Sequence, residues 1–230
     1  MEKISFQIWK KSTQADAEFK SLLLDDLHSL LLSKVSELQI NLVDADVKAA
    51  KDLVQSSSPP SPHAIIFLKA PSYFYLSDLQ KFFEDNFKKF YGYIISESCI
   101  LEDPKPSAIG TRTDGFSQIV FLGKPDSMDE FSWFEHWVNV HTQIAIDTQS
   151  NFIYTQNSIV RPLQEDSPPF IAIIEECFPE EAMISPEVFY GASGNPKLLA
   201  KNLEIMMGSC AQFIDFNNIE VIPTSRYRMI

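Results

Sequence analysis

The sequence predicts an α+β fold in which one β-α-β-β-α-β unit occurs twice along 230 residues. Two observations predict the unit itself: short apolar or alternating segments typical of strands, and longer segments with apolar residues at helical spacing. A third observation divides the chain, because residues 103–115 are dense in Pro, Gly and small polar residues. With 45% hydrophobic and 22% charged residues, the chain has the composition of an ordinary folded protein rather than a disordered one.

The first half contains four predicted strands and two predicted helices. In the first strand, Ile4, Phe6 and Ile8 alternate with polar or amphipathic residues, a pattern typical of strands. The loop at 56–62 holds three prolines within SSSPPSP, so it is neither helix nor central strand. The predicted elements are strand 4–9, helix 15–35, strand 37–43, strand 63–70, helix 75–90 and strand 91–102.

The second half repeats this order after the junction. The segment 127–149 is the first helix of the repeat, and Ser127 with Glu130 three residues later predicts a capping box at its start. In the second helix, Pro196 falls in the first turn, where proline is tolerated. The predicted elements are strand 116–123, helix 127–149, strand 151–163, strand 170–178, helix 195–214 and strand 217–230.

This element order is that of the split β-α-β, or ferredoxin-like, unit. We therefore predict a first repeat at 1–105 and a second at 106–230, each with a four-stranded antiparallel sheet and both helices on one face. The open faces of the two sheets must be covered, and they cover each other most simply by forming a barrel-like pair. Such a barrel closes within one chain, so we expect a pseudo-dimeric monomer or a homodimer.

Charge and composition disfavour several functional classes. The net charge of −12 disfavours nucleic-acid and membrane-surface binding, and only 7 glycines make a phosphate-binding loop improbable. The apolar runs are too short to span a bilayer, and three cysteines without a CxxC motif predict reduced thiols in a cytoplasmic protein. Ferredoxin-like tandems also occur as RNA-binding RRM pairs, which the charge disfavours, and as amino-acid-binding ACT pairs, which stay possible.

The stretch FSWFEHWVNVHTQIA, residues 131–145, carries the best candidate site. On a regular helix His141 lies in the middle of a broad apolar arc formed with Trp137, whereas His136 faces water. The two histidines then lie too far apart to bind one metal, so no metal is predicted. We expect desolvation to lower the pKa of His141 and keep it neutral, as suits an acid/base group beside an apolar pocket. The alternative is that His141 is a hydrogen-bonded core residue.

The same residues carry a family resemblance. The pattern of Trp137, three residues and His141, followed at strand distance by Tyr154-Thr-Gln-Asn157, resembles EthD-type proteins, which belong to the dimeric α+β barrel superfamily. The resemblance covers about residues 116–163, and His28 in the first repeat aligns with His141. It implies a pocket lined by a further set of side chains: Trp137, Trp133, Tyr154, Gln156, Asn157 and His28. Tyr154 and Gln156 share one strand face, whereas Asn157 points to the other.

The resulting expectation is a protein that binds or transforms a small apolar or aromatic molecule next to His141, without a metal or another cofactor. The alternative is a non-catalytic binding or regulatory module. The acidic pairs Glu175–Glu176 and Glu180–Glu181 are predicted to be solvated at a strand end, and Cys177 and Cys210 are predicted to be packing residues.

Overall fold

The computed structural model describes residues 1–230 and has the predicted order of elements in its first half. Two helical stretches each contain an irregular turn, and a 3₁₀ segment follows the second strand. The elements are β1 (Glu2–Trp9), α1 (Asp16–Ser21), a π-helical turn (Leu22–Leu27), α2 (His28–Leu31), β2 (Glu37–Leu42), a 3₁₀ segment (Ala45–Leu53), β3 (Gln55–Ser56), β4 (Ala64–Ala70), a 3₁₀ turn (Tyr73–Tyr75), α3 (Ser77–Asn86) and β5 (Lys89–Leu101).

The second half repeats the order with a longer final helix. Its elements are β6 (Phe116–Leu122), α4 (Glu130–His136), a π-helical turn (Trp137–His141), α5 (Thr142–Thr148), β7 (Ile153–Pro162), β8 (Ala172–Phe178), a 3₁₀ turn (Glu180–Met183), α6 (Pro186–Phe189), α7 (Pro196–Phe213) and β9 (Ile219–Arg228).

Eight strands form one closed antiparallel barrel, which confirms the predicted fold class. Their order is β2-β4-β1-β5-β7-β8-β6-β9, and pairing of β2 with β9 closes the ring, while the short β3 adds to the edge of β9. The two halves meet where Ser96 of β5 pairs with Ser158 of β7 and Asn41 of β2 pairs with Arg226 of β9. Because one sheet runs through both halves, the repeat boundary at 105/106 stays a prediction.

Most strands bury both of their faces over much of their length, although β5 is exposed at residues 96–99 and β7 at its end. In β2, Leu38 and Ile40 face the helices outside the barrel, and Asn41 faces the interior. The helix-covered layer of the first half is one core of 22 buried residues. A second apolar cluster occupies part of the barrel interior and includes Phe67 and Phe121. Antiparallel sheets usually leave one face to solvent, and polar residues lie on that face. Here helices or the barrel interior cover both faces, so polar residues of the strands are enclosed as well.

The barrel interior also contains a buried ion pair. Arg226 Nε lies 3.3 Å from Glu175 Oε1, and Asn41 and Ser117 donate hydrogen bonds to the same carboxylate oxygen. The prediction that Glu175 and Glu176 are solvated is therefore wrong, because Glu175 is 4% and Glu176 7% exposed. They point to opposite faces of β8, both of which are covered.

The predicted helix at 127–149 differs from the observed one in two ways. It begins at Glu130, because the Asp129 side chain accepts a hydrogen bond from Ser132 N at 2.9 Å, so the predicted cap at Ser127 is wrong. A π-helical turn then interrupts it at Trp137–His141. This extra residue per turn changes which side chains face the barrel, and Val140 within the turn is 45% exposed.

Two other helices also depart from the regular segments that the sequence predicts. The first contains the π-helical turn at Leu22–Leu27 and ends at Leu31, and the second spans only Ser77–Asn86. The 3₁₀ segment Ala45–Leu53 and helix α6 were not predicted. No helix of the structure combines the length and the apolar character that a membrane span requires.

The junction between the repeats supplies a test of the fold. Gly110 and Gly115 both have positive φ, at 78° and 79°. A Cβ at Gly115 would lie 2.0 Å from the Phe178 carbonyl oxygen, whereas one at Gly110 would meet nothing within 4 Å. We expect Gly115→Ala to lower the free energy of unfolding by several kcal/mol, and Gly110→Ala by only about 1 kcal/mol from the strained φ. Urea denaturation measures both, and equal losses would contradict the close contact at Phe178.

Candidate functional site

A cavity of about 560 Å³ lies between the barrel and the helices of the second half. Its floor is the outer face of β6, β8 and β9, and α7 and the π-helical turn lie over it. The 3₁₀ segment of the first half and the loop after β8 close its sides, contributing Leu53 and Met183. The exposed side chains of Ile184 and Phe216 lie at its edge. The cavity is therefore enclosed mostly by apolar side chains, but it borders solvent at one side.

In the first half, aromatic side chains occupy the layer between the helices and the strands. Phe19, Phe83 and Phe87 pack edge-on or tilted against one another there, within the continuous core of that layer. His28 lies in this half, at the start of α2 and away from the cavity. The structure thus separates His28 from the other predicted site residues.

Three polar side chains form a row across the cavity floor. Glu176 of β8 pairs directly with Gln118 of β6 on one side and with Tyr154 of β7 on the other. Residues paired across an antiparallel sheet project from the same face with their Cβ atoms about 5 Å apart. All three line the cavity and are at most 8% exposed. An otherwise apolar cavity therefore has a compact polar strip on its floor.

Glu176 is the only carboxylic acid of the strip. Asn151 Nδ2 donates a hydrogen bond to its Oε1 at 2.8 Å, and no cation pairs with the carboxyl. Burial disfavours the charged form and raises the pKa of Glu176 to about 7. Burial also raises the pKa of Tyr154 and that of Cys210, the latter to about 11, so both stay neutral at physiological pH.

His141 lines the cavity and shares a partner with His136. The Ser209 hydroxyl of α7 lies 2.9 Å from His141 Nδ1 and 3.0 Å from His136 Nε2. The prediction that His136 faces water is wrong, because the π-helical turn places residues i and i+5 on the same face. Burial, with a contribution from nearby His136, lowers the pKa of His141 to about 4, so its ring is neutral at pH 7.

The two tryptophans of the stretch differ in their surroundings. Trp133 Nε1 donates a hydrogen bond to the Phe213 carbonyl at 2.7 Å, and the ring lies in the core outside the cavity lining. Trp137 lines the cavity, is 1% exposed, and its Nε1 has no hydrogen-bond partner. Buried N–H groups are almost always hydrogen-bonded, so a buried N–H without a partner is unusual. The Trp137 N–H is therefore available to a ligand in the cavity.

The remaining predicted lining residues lie outside the cavity. Gln156 Nε2 donates hydrogen bonds to Thr142 Oγ1 at 2.8 Å and to the Tyr154 hydroxyl at 3.1 Å. It therefore holds the Tyr154 hydroxyl in position without lining the cavity itself. Asn157 points into the barrel, where its Nδ2 donates to the Ile173 carbonyl at 3.2 Å. The opposite orientations of Gln156 and Asn157 follow from strand alternation.

Sequence reasoning missed Glu176, Gln118 and Ser209. The sequence did contain a signal for Glu176, namely a consecutive acidic pair within a predicted strand. A strand that is covered on both faces buries both residues of such a pair. Ser209 had no local signal, since its role depends on how α7 packs on the π-helical turn. No group of three or more His, Cys, Asp or Glu side chains is close enough to hold a metal ion.

Comparison with known proteins supports the fold and no family. The sequence matches no family model and no curated protein. Among solved structures, an anthrone oxidase-like protein superimposes with a TM-score of 0.57 at 8% identity, over 99% of this chain and 92% of that chain. At this identity the likeness shows the fold alone, which is that of a dimeric α+β barrel. The resemblance to EthD-type proteins stays a prediction.

Two further solved structures cover most of the chain with lower scores. A candidate monooxygenase from Lactobacillus acidophilus NCFM has a TM-score of 0.48 at 8% identity, over 100% of this chain and 94% of that one. A chlorite dismutase variant from Candidatus Nitrospira defluvii, in complex with cyanide, has a TM-score of 0.46 at 10% identity, over 97% and 90%.

The raised pKa of Glu176 predicts a pH-dependent stability. In the unfolded chain the carboxyl ionises near its ordinary 4.5, whereas the folded protein holds its proton until about pH 7. The stabilisation that this carboxyl group contributes is therefore complete below pH 4.5. It is lost as the pH rises through 7, which lowers the free energy of unfolding by roughly 3 kcal/mol. We expect Glu176→Gln to flatten this loss in urea denaturation between pH 4.5 and 8. The same substitution at exposed Glu181 is the control, and a wild-type slope retained by Glu176→Gln would contradict the assignment.

Proposed function

We propose that the protein binds a small apolar or aromatic molecule in the cavity of the second half, and transforms it there without a metal. The observation that carries the proposal is a cavity of about 560 Å³ with mostly apolar walls and a few converging polar groups. Cavities that hold small-molecule ligands typically measure about 300–1,000 Å³ and have this composition. A purely structural role for His141 gives no reason for an empty space of this size beside it.

His141 acts in this proposal as an orienting group. The Ser209 hydroxyl has a single proton, so it donates to one of the two histidines and accepts from the other. When it donates to Nδ1 of His141, the neutral ring carries its proton on Nε2 and offers a donor to a ligand. A pKa of about 4 makes His141 a weak base at pH 7, although it suits hydrogen bonding without charge.

The substrate class follows from the cavity walls and is consistent with one structural neighbour. Phe189, Tyr190 and Trp137 supply aromatic surface, which favours a flat aromatic ligand by stacking and edge contacts. The neighbour described as anthrone oxidase-like is consistent with such a ligand. The competing hypothesis is a binding or regulatory module that uses the same cavity without chemistry.

A search for a co-purified ligand tests the proposal most simply. Native mass spectrometry of the purified chain is expected to show a mass excess that disappears on denaturation, or to acquire one when small aromatic compounds are added. An absorbance scan of the same sample tests for haem or flavin. No bound species from the sample or from added aromatics would contradict a ligand-binding cavity.

Substitution of the two aligned histidines gives a matched comparison. We expect His141→Ala to change the free energy of unfolding by less than about 1 kcal/mol, because its ring borders empty space, yet to weaken binding of an added aromatic ligand at least about tenfold. His28→Ala is expected to leave ligand binding unchanged, because His28 lies in the other half. Thermal melts and isothermal titration measure both effects. A large stability loss for His141→Ala with unchanged ligand binding would exclude the proposed role.

A further inference from the structure

Glu176 has unused hydrogen-bonding capacity in the cavity. Its Oε1 accepts from Asn151 Nδ2 at 2.8 Å, and no protein donor reaches Oε2. The neighbouring Gln118 amide lines the cavity too and forms no hydrogen bond to another side chain. Glu176 is only 7% exposed and lines the cavity, so its Oε2 lacks a hydrogen bond unless a ligand or water supplies one, and burying a polar group without a partner is costly.

The titratable groups that face Glu176 come from every element around the cavity. Among the groups whose pKa is shifted, only Glu176 titrates near neutral pH. Tyr154 of β7 and Tyr190, which follows α6, have pKa values raised by burial, and Cys210 of α7 has a pKa raised to about 11. His141 has its pKa lowered to about 4. Asp52 of the first half lies at the exposed edge of the cavity and not on its floor.

We propose that Glu176 is the recognition group of the cavity and accepts, at its free oxygen, a hydrogen bond from the hydroxyl group of an otherwise apolar aromatic ligand. The inference rests on the proposed function, since it assigns the chemistry of the same cavity. The hydroxyl must be a donor, because a carboxylate can only accept hydrogen bonds. A charge-assisted bond of this kind is shorter and stronger than one between neutral groups.

A second oxygen on the ligand completes the match. Trp137 Nε1 has no hydrogen-bond partner of good geometry, and the nearby Tyr154 hydroxyl makes only a weak contact with its N–H. A carbonyl or ether oxygen of the ligand would satisfy this donor while the hydroxyl contacts Glu176. The ligand class is therefore a hydroxylated aromatic molecule with a further acceptor oxygen, and the aromatic walls hold its apolar body.

The ionisation of Glu176 gives the inference its test. 1-Naphthol carries the hydroxyl donor, and 1-methoxynaphthalene has the same ring with an acceptor only. We expect 1-naphthol to bind the wild-type protein about tenfold more tightly at about pH 8 than at about pH 5.5, because the charged carboxylate accepts its hydrogen bond more strongly than the neutral carboxyl does. 1-Methoxynaphthalene is expected to bind more weakly as the pH rises, because it has no donor for the charged carboxylate beside it. Titration by intrinsic fluorescence or calorimetry measures both.

Two variants separate this inference from the proposed function. Glu176→Gln has nearly the same shape and no charge, so both probes are expected to bind it with no dependence on pH in this range. Glu181→Gln, at an exposed position in the turn beside the cavity, is expected to keep the wild-type dependence. Binding of both probes with the same pH profile, or a profile retained by Glu176→Gln, overturns the role of Glu176 and leaves the cavity proposal standing. Binding of neither probe at any pH overturns both.

Discussion

Closure of the barrel within one chain is the constraint on which the rest of the structure depends. The pairs β5–β7 and β2–β9 join the two repeats into a ring, so no strand of the barrel keeps an open edge and each has one face inside and one under the helices. This closure places Glu175 beside Arg226 in the interior and turns the adjacent Glu176 outward to the cavity floor. Two consecutive carboxyl groups therefore have different environments: one is ion-paired, and the other has a pKa raised to about 7 by burial.

The asymmetry between the repeats decides where the cavity lies. Both halves build the same four-stranded unit, but phenylalanines occupy the space under the helices of the first half, and a cavity remains in the second. The first half still takes part, because its 3₁₀ segment at Ala45–Leu53 contributes Ala49 and Leu53 to the cavity wall. Both halves of the chain therefore enclose this cavity.

Periodicity predicted the strands and the tandem order, because alternation and helical spacing are local properties of the chain. Helical spacing singled out Trp137 and His141, the family resemblance implied Tyr154, and the structure brings these three to one cavity. Periodicity did not predict the π-helical turn at Trp137–His141, where Ser209 of α7 contacts both His136 and His141 across the tertiary packing. Glu176 was missed for a related reason, since its burial depends on the helices that cover β8.

The central claim is that the cavity of the second half is a binding site for a hydroxylated aromatic ligand. A crystal structure of the protein with 6-bromo-2-naphthol tests it most directly, because the anomalous signal of bromine distinguishes the ligand from water and protein atoms. The account predicts one bromine peak between the helices and the barrel of the second half, with the ligand oxygen in hydrogen-bonding contact with Glu176 and the ring near Trp137. A peak under the helices of the first half or on the surface alone, or a cavity collapsed around its side chains, would contradict it.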